Sequence, residues 1–300
     1  MHDAWFREKV LRELIKSHQH TYMNLPPVQN LTPQEICIVS DEKSAFYTRH
    51  NTGDNLHLAA VYDTAVNYGF YAAPSSHVYV RDLIEKGFKQ QPKLYIMTNL
   101  LKMDENTRSR LMERFRKEKA TVLWLYAANI FTEKSGPDAK LMSDFLGVDF
   151  EKSSEYSVPQ MLVGNKKISN PIPSAPWFYP VSGFDKVIGK SQEGKPMLVS
   201  WEKDGVTHYF STLMTLPPEL IREMAKKAGI HLYADNFSDP LLIGNDCIFL
   251  HAASDGRKKL LLPAGYTATA IAGPISGEFG NTPEFEAAAG RTYGFLLKKK

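Results

Sequence analysis

Short unbroken apolar runs alternate along this chain with longer stretches in which apolar positions recur every third or fourth residue, a texture that predicts strands and helices in turn. Trp5, Val10, Leu11, Leu14 and Ile15 fall on one side of a predicted helix from Ala4 to about Tyr22, with Arg7, Glu8, Arg12, Glu13 and Lys16 opposite. Leu25-Pro26-Pro27 stops it, and Pro26 to Pro33 reads as a linker. Glu35-Ile-Cys-Ile-Val-Ser40 has the continuous apolar run of a central parallel strand covered on both faces. Leu56 to Tyr68 is a predicted helix, Ser76 to Val80 a short strand and Arg81 to Gly87 a short helix. Leu94 to Met97 and Thr121 to Tyr126 are buried strands. Between them, a helix capped by Asp104 turns Leu111, Met112 and Phe115 inward.

Asp138 to Leu146 reads as a further helix, Val148 to Val163 as extended chain, and Asn170 to Pro180 as a loop of prolines and aromatics. Lys186 to Ile188, Met197 to Glu202 and Thr207 to Thr212 read as strands, the last two as a hairpin turning at Asp204-Gly205. Pro217-Pro218 opens a helix that runs through Lys227. After Tyr233 only short strands and Gly/Pro turns remain. The expectation is an α/β fold, a parallel sheet with helices on both faces, followed by a small all-β sandwich-like domain. The expected boundaries are a helix and linker over 1–30, the α/β domain over 31–232 and the β domain over 233–300.

Bulk properties narrow this little. The 300 residues, 43% hydrophobic and 23% charged, have room for about two ordinary domains. A formal net charge of +3 gives no reason to expect nucleic acid as a partner, and Lys298 to Lys300 read as a solvated tail. No stretch approaches a membrane span, and the N-terminus lacks the apolar core of a signal peptide, so the chain as given is expected in the cytoplasm. Cys37 and Cys247, far apart and both in apolar runs, are expected as buried free thiols.

Candidate chemistry is sparse. In an α/β sheet the turn after a strand such as Thr121 to Tyr126 is where a nucleophile would stand, and here it reads Tyr126-Ala127-Ala128-Asn129. Asp41 and Glu42 follow the first strand, on the side where such sheets bind ligands, and are expected to be a solvated loop or a helix cap, with a hydrolytic or carbohydrate-binding site as the alternative. Tyr47, Arg49 and His50 come next and could reach a neighbouring subunit. Trp177-Phe178-Tyr179 has three readings: burial in its own domain, an interface, or contact with a sugar. His18 and His20, two apart on a helix, point to different sides, and His50 and His57 around Asp54 fit no zinc spacing, so no metal site is expected.

Taken in order, these segments resemble a known family. Glu35-Ile-Cys-Ile-Val-Ser-Asp-Glu-Lys-Ser44, Lys93-Leu-Tyr-Ile-Met-Thr-Asn99 and Thr121-Val-Leu-Trp-Leu-Tyr-Ala127 are similar to the opening βαβ units of the glutamine-amidotransferase-like domain of β-galactosidase-type glycoside hydrolases, often called the trimerisation domain. Leu216-Pro-Pro-Glu-Leu-Ile-Arg222 and Ala228-Gly-Ile-His-Leu-Tyr233 resemble its last helix and strand, and Phe249 to Tyr293 the small β domain that follows. The resemblance implies a flavodoxin-like, class I amidotransferase-like sheet with a degenerate nucleophile elbow at Tyr126, Ala127 and Ala128. It also implies an accessory, non-catalytic role without a cofactor. The implied partners are a catalytic (β/α)₈ barrel and further copies of the chain, as a trimer. The barrel carries that family's catalytic glutamates and needs about 250 residues, more than precede Glu35.

Overall fold

The computed structural model describes residues 27–48, 58–85, 91–133, 135–170, 172–236 and 238–300. The expected helix around Trp5 and Leu11, the histidines at 18, 20, 50 and 57, Arg49 and Asp54 lie outside them.

The strands up to residue 211 are, in chain order, β1 (Ile36–Ser40), β2 (Ser75–Tyr79), β3 (Leu94–Met97), β4 (Thr121–Leu125), β5 (Asp149–Ser153), β6 (Gln160–Val163), β7 (Lys166–Ser169), β8 (Trp177–Ser182), β9 (Lys186–Lys190), β10 (Pro196–Lys203) and β11 (Val206–Ser211). The helices used below are α1 (Val80–Glu85), α2 (Glu105–Glu118), α3 (Ala139–Leu146) and α4 (Pro218–Lys227). Residues 58–71 form one more helical stretch of mixed pitch. Nine strands make one sheet in the order β2-β1-β3-β4-β11-β10-β9-β6-β7. β1, β3 and β4 are buried at every position, as their unbroken apolar runs require.

Alternate residues of these strands serve opposite faces. Cys37, Val39, Tyr95, Met97, Val122 and Trp124 pack with Leu83 of α1, Leu111 and Phe115 of α2, and Met142 and Leu146 of α3. Ile36, Ile38, Leu94, Ile96, Leu123 and Leu125 pack with Tyr71 and with Ile221, Met224 and Ala225 of α4. Helices therefore cover both faces, as expected. α2 starts where Asp104 accepts a hydrogen bond from Thr107 N at 2.7 Å and stops where Lys119 turns left-handed at φ 49°.

The sheet is mixed, which corrects the expected parallel sheet. β2, β1, β3, β4 and β11 run parallel, whereas β10, β9, β6 and β7 pair antiparallel. Two-residue turns at Asp204-Gly205 and at Gly164-Asn165 account for the β10–β11 and β6–β7 pairs, because so short a connection joins only antiparallel neighbours. A second correction concerns the aromatic segment. Trp177 to Ser182 is strand β8, paired with β5, and not a loop.

Beyond residue 233 lie β12 (Leu241–Gly244), β13 (Cys247–His251), β14 (Gly256–Lys259), β15 (Tyr266–Ala272), β16 (Glu278–Phe279), β17 (Glu284–Ala287) and β18 (Thr292–Lys299). A five-stranded antiparallel sheet, β12-β13-β18-β15-β16, and the β14–β17 pair share one core of Ile248, Leu250, Leu260, Phe285, Tyr293 and Phe295. Gly294 lets β18 lie against its neighbours, since a Cβ there would sit 2.9 Å from Ala272 Cβ and 2.7 Å from Phe249 Cε1.

Two polar clamps tie this part to the rest. Arg222 of α4, almost wholly buried, donates to the carbonyls of Ala234 and Asn236. Asp246, in the tight β12–β13 turn, accepts from the backbone N–H groups of Gln29, Asn30 (3.1 Å) and Leu31 (2.5 Å). In return, Thr32 Oγ1 accepts from Asp246 N at 3.0 Å. The stretch read as a linker is thus pinned to the C-terminal sheet.

Candidate functional site

Strand order reverses between β1 and β3, which places the switch-point crevice of the sheet at their carboxyl ends. Asp41 follows β1 there and is 7% exposed, so of the two expected environments the solvated loop is corrected, and the carboxylate instead bonds the start of the short helix Lys43–Tyr47. Its Oδ2 accepts from Ser44 Oγ at 2.6 Å and its Oδ1 from Lys43 N at 3.2 Å. Asn99, after β3, locks the same turn, accepting from Asp41 N at 2.8 Å and donating to Asp41 O at 2.9 Å. Ser44 Oγ in turn accepts from Leu101 N at 3.1 Å. The backbone of Asp41 therefore joins the ends of β1 and β3 through Asn99, while its carboxylate holds the local turn through Lys43 and Ser44.

Glu42 lies 3.3 Å from Arg81. Tyr47 stacks on Phe131 with centroids 5.1 Å apart, and its hydroxyl accepts from Lys102 Nζ at 2.8 Å. Lys102 also pairs with Glu133, and these two acceptors hold the ammonium in its charged form. Asp41, Glu42, Tyr47, Arg81, Lys102 and Glu133 share a cleft of about 380 Å³. The carboxyl of Asp104 at its edge is held below the usual range, chiefly by the N–H of Thr107. Asp41 is fixed in its turn, Glu42 and Glu133 pair with Arg81 and Lys102, and Asp104 caps α2.

The turn after β4 keeps unusual backbone geometry with inert chemistry. Tyr126 has φ 64°, a left-handed conformation that few non-glycine residues adopt. It is sustained by Tyr126 N donating to Ser211 O at 2.8 Å and by the phenol donating to Pro176 O at 2.6 Å. Trp177 and Phe178 meet the ring edge-on, at 5.5 and 6.0 Å. Burial pushes the phenol's pKa up. Ala127 and Ala128 are buried, the latter donating from its N–H to Met142 Sδ at 3.3 Å. Cys37, mid-strand, has a thiol pushed up to about 12 by burial, and burial also raises that of Cys247, so neither favours the reactive thiolate.

The other predicted contact residues lie elsewhere. Trp177 and Phe178 are fully buried in the core that covers the first face of the sheet, while Tyr179 is half-buried and lines a separate cleft. Sequence reasoning missed Asn99, Lys102 and Ser40. Ser40 Oγ lies 2.7 Å from His77 Nε2, but the serine is 1% exposed. Thr98-Asn99, polar residues that close an apolar strand, were the readable sign of the Asp41 lock. Among the described residues no three His, Cys, Asp or Glu side chains cluster as a metal site, and no helix is long and apolar enough to cross a membrane.

No family model matches the sequence, and no curated protein matches it. Solved structures do. This fold is found within β-galactosidases. A catalytic mutant of Gan42B, a GH42 β-galactosidase from G. stearothermophilus, superposes with a TM-score of 0.65 at 13% identity, covering 89% of this chain and 40% of that one. The β-galactosidase from Bacillus circulans sp. alkalophilus gives 0.61 at 11% identity over 87% of this chain and 41% of that one. The enzyme from the psychrophilic Marinomonas ef1 gives 0.58 at 10% identity over 89% and 38%. The chain thus spans about 40% of the length of the β-galactosidases it resembles, and at these identities the likeness is one of fold.

Proposed function

We propose that this chain is the non-catalytic, assembly-forming portion of a β-galactosidase-type glycoside hydrolase, corresponding to the trimerisation domain and the β domain after it. In this reading it acts on carbohydrate only together with a (β/α)₈ barrel, either joined to it or encoded separately, and it associates with copies of itself as a trimer. The α/β part over 31–232 is amidotransferase-like, the β part over 233–300 braces it, and residues 1–30 lead in from the barrel side. Tyr126, Ala127 and Ala128 are the degenerate elbow. Glu42 and Tyr47, with Arg49, contact the neighbouring barrel or subunit.

The observation that carries this reading is the match of nearly the whole chain to only two-fifths of each β-galactosidase. The buried, hydrogen-bonded tyrosine where an elbow would expose its nucleophile adds support. A direct test offers a chromogenic β-galactoside to the chain alone, to a partner barrel alone and to the mixture. Turnover confined to samples containing the barrel is expected. Hydrolysis by the chain alone that is lost in Glu42→Gln would overturn the proposal in favour of a hydrolase site beside Asp41.

A further inference from the structure

The outer face of the C-terminal sheet is apolar, yet no core of the described residues lies on it. β12 reads Leu-Leu-Ile-Gly, β13 Cys-Ile-Phe-Leu-His and β18 Thr-Tyr-Gly-Phe-Leu-Leu-Lys-Lys. A strand with one solvated face alternates apolar and polar residues, whereas these runs are apolar at both sets of positions, as strands covered on both faces are. One set, including Ile243, Ile248, Leu250, Phe295 and Leu297, fills the core shared with the β14–β17 pair. The other set forms two cross-strand rows, Leu242–Phe249–Gly294 and Gly244–Cys247–Leu296. Leu242 is 48% exposed, Phe249 and Leu296 are half-buried, and none of these three joins a core of the described residues.

Where the chain enters this face decides what covers it. A groove of about 260 Å³ lies between Phe249 and Leu296 on the sheet side and Pro27, Val28 and Gln29 on the other, and Val28 is 60% exposed. The acid at its end, Asp246, is already occupied by the N–H groups of residues 29–31, which fixes Pro27 at the lip of the groove. The segment that precedes Pro27 holds the stretch from Ala4 to about Tyr22, whose sequence predicts an amphipathic helix with Leu11, Leu14 and Ile15 on its apolar side. Such a helix would be about 28 Å long, enough to cross three strands spaced over about 10 Å. The connection from Tyr22 to Pro27 reaches about 17 Å, and so short a tether presents the helix to the groove at about millimolar effective concentration. We propose that the apolar side of residues 4–22 docks on the outer face of the C-terminal sheet, with Leu11, Leu14 and Ile15 covering Leu242, Phe249 and Leu296. The N-terminal segment then closes the β domain from its second face. This goes beyond the assembly role and does not require it.

The test is amide hydrogen exchange on the full chain, at low and at high protein concentration. Amides of residues 9–16 should exchange more slowly than in a peptide of residues 1–26, and equally at both concentrations. Leu14→Asp, in the segment, and Leu242→Asp, at an exposed position of the sheet face, should each speed that exchange about tenfold or more, the worth of one buried leucine. The amides of Ile248 and Phe295, on the inner face, should stay protected in both variants. Exchange as fast as in the peptide, or exchange unchanged by Leu14→Asp, would overturn the proposal. So would protection that appears only at high concentration, which assigns the face to a second copy, or only with the barrel added, which assigns it to the barrel. Because each sample's mass in solution is read as well, failure of docking and failure of assembly are separately visible.

Discussion

His208 of β11 gives the chain an acid sensitivity whose size follows from its surroundings. The ring is 1% exposed, stacked on Trp201 at 5.1 Å, and its Nδ1 accepts from Trp124 Nε1 at 3.3 Å. Nε2 has no hydrogen-bond partner. Burial, with the nearby Lys203 charge, lowers its pKa from 6.5 to about 4. The unfolded chain therefore binds a proton between those values that the folded chain refuses. Stability is complete above pH 6.5 and falls as pH drops toward 4. At about 1.4 kcal/mol per pH unit of difference, the loss is about 2 kcal/mol at pH 5 and nears about 3 kcal/mol at pH 4. Urea unfolding at pH 8, 6.5 and 5 measures it, with His208→Gln as the comparison, because the amide oxygen can still accept from Trp124. The variant should be less stable at pH 8 through lost stacking, yet its stability should fall by about 2 kcal/mol less between pH 8 and pH 5. Parallel pH slopes for the two proteins would refute the reasoning.

Three other perturbations probe other parts of the account. Asp246→Asn, which leaves one oxygen to serve three N–H donors, should cost about 1–3 kcal/mol and speed amide exchange at residues 29–31 above all; unchanged exchange there would show that the clamp does not hold. Gly294→Ala should cost about 1–3 kcal/mol in chemical denaturation by forcing β18 away from Ala272, and a neutral result would mean the strands are looser than their geometry. Tyr126→Cys places a thiol at the elbow, but one shut in by Trp177 and Phe178. It should label with iodoacetamide no faster in the folded protein than Cys37 does, and rapid labelling would reveal an open nucleophile site.

The sequence made the parallel half of the sheet readable because β1, β3 and β4 are covered on both faces, and double coverage demands an unbroken apolar run. The antiparallel half was harder. β7 reads Lys-Lys-Ile-Ser and β9 carries lysines at both ends, so neither shows a strong strand pattern. Of the two-residue turns in this half, Asp204-Gly205 between β10 and β11 was conspicuous and Gly164-Asn165 between β6 and β7 was not. β8 was read as a loop because prolines surround it. A strand tolerates Pro180 at an edge or irregularity, and the β5–β8 pairing shifts register next to that residue's partner, Phe150. The burial of Asp41 was invisible for another reason. Asn99, which bonds both backbone groups of Asp41, is 58 positions away, and nothing local shows that this turn is closed over by the end of β3. The blank elbow could be read from the sequence directly, since Tyr126-Ala127-Ala128 contains no thiol or aliphatic hydroxyl, although the left-handed backbone beneath it could not.

The central claim, that this is an assembling module and works beside a barrel, is tested most directly by its mass in solution. Multi-angle light scattering on the chain, alone and mixed with a partner (β/α)₈ barrel, should give three times the 33.9 kDa chain mass, or a complex with the barrel in fixed ratio. A particle of 33.9 kDa that stays unchanged when the barrel is added would contradict it.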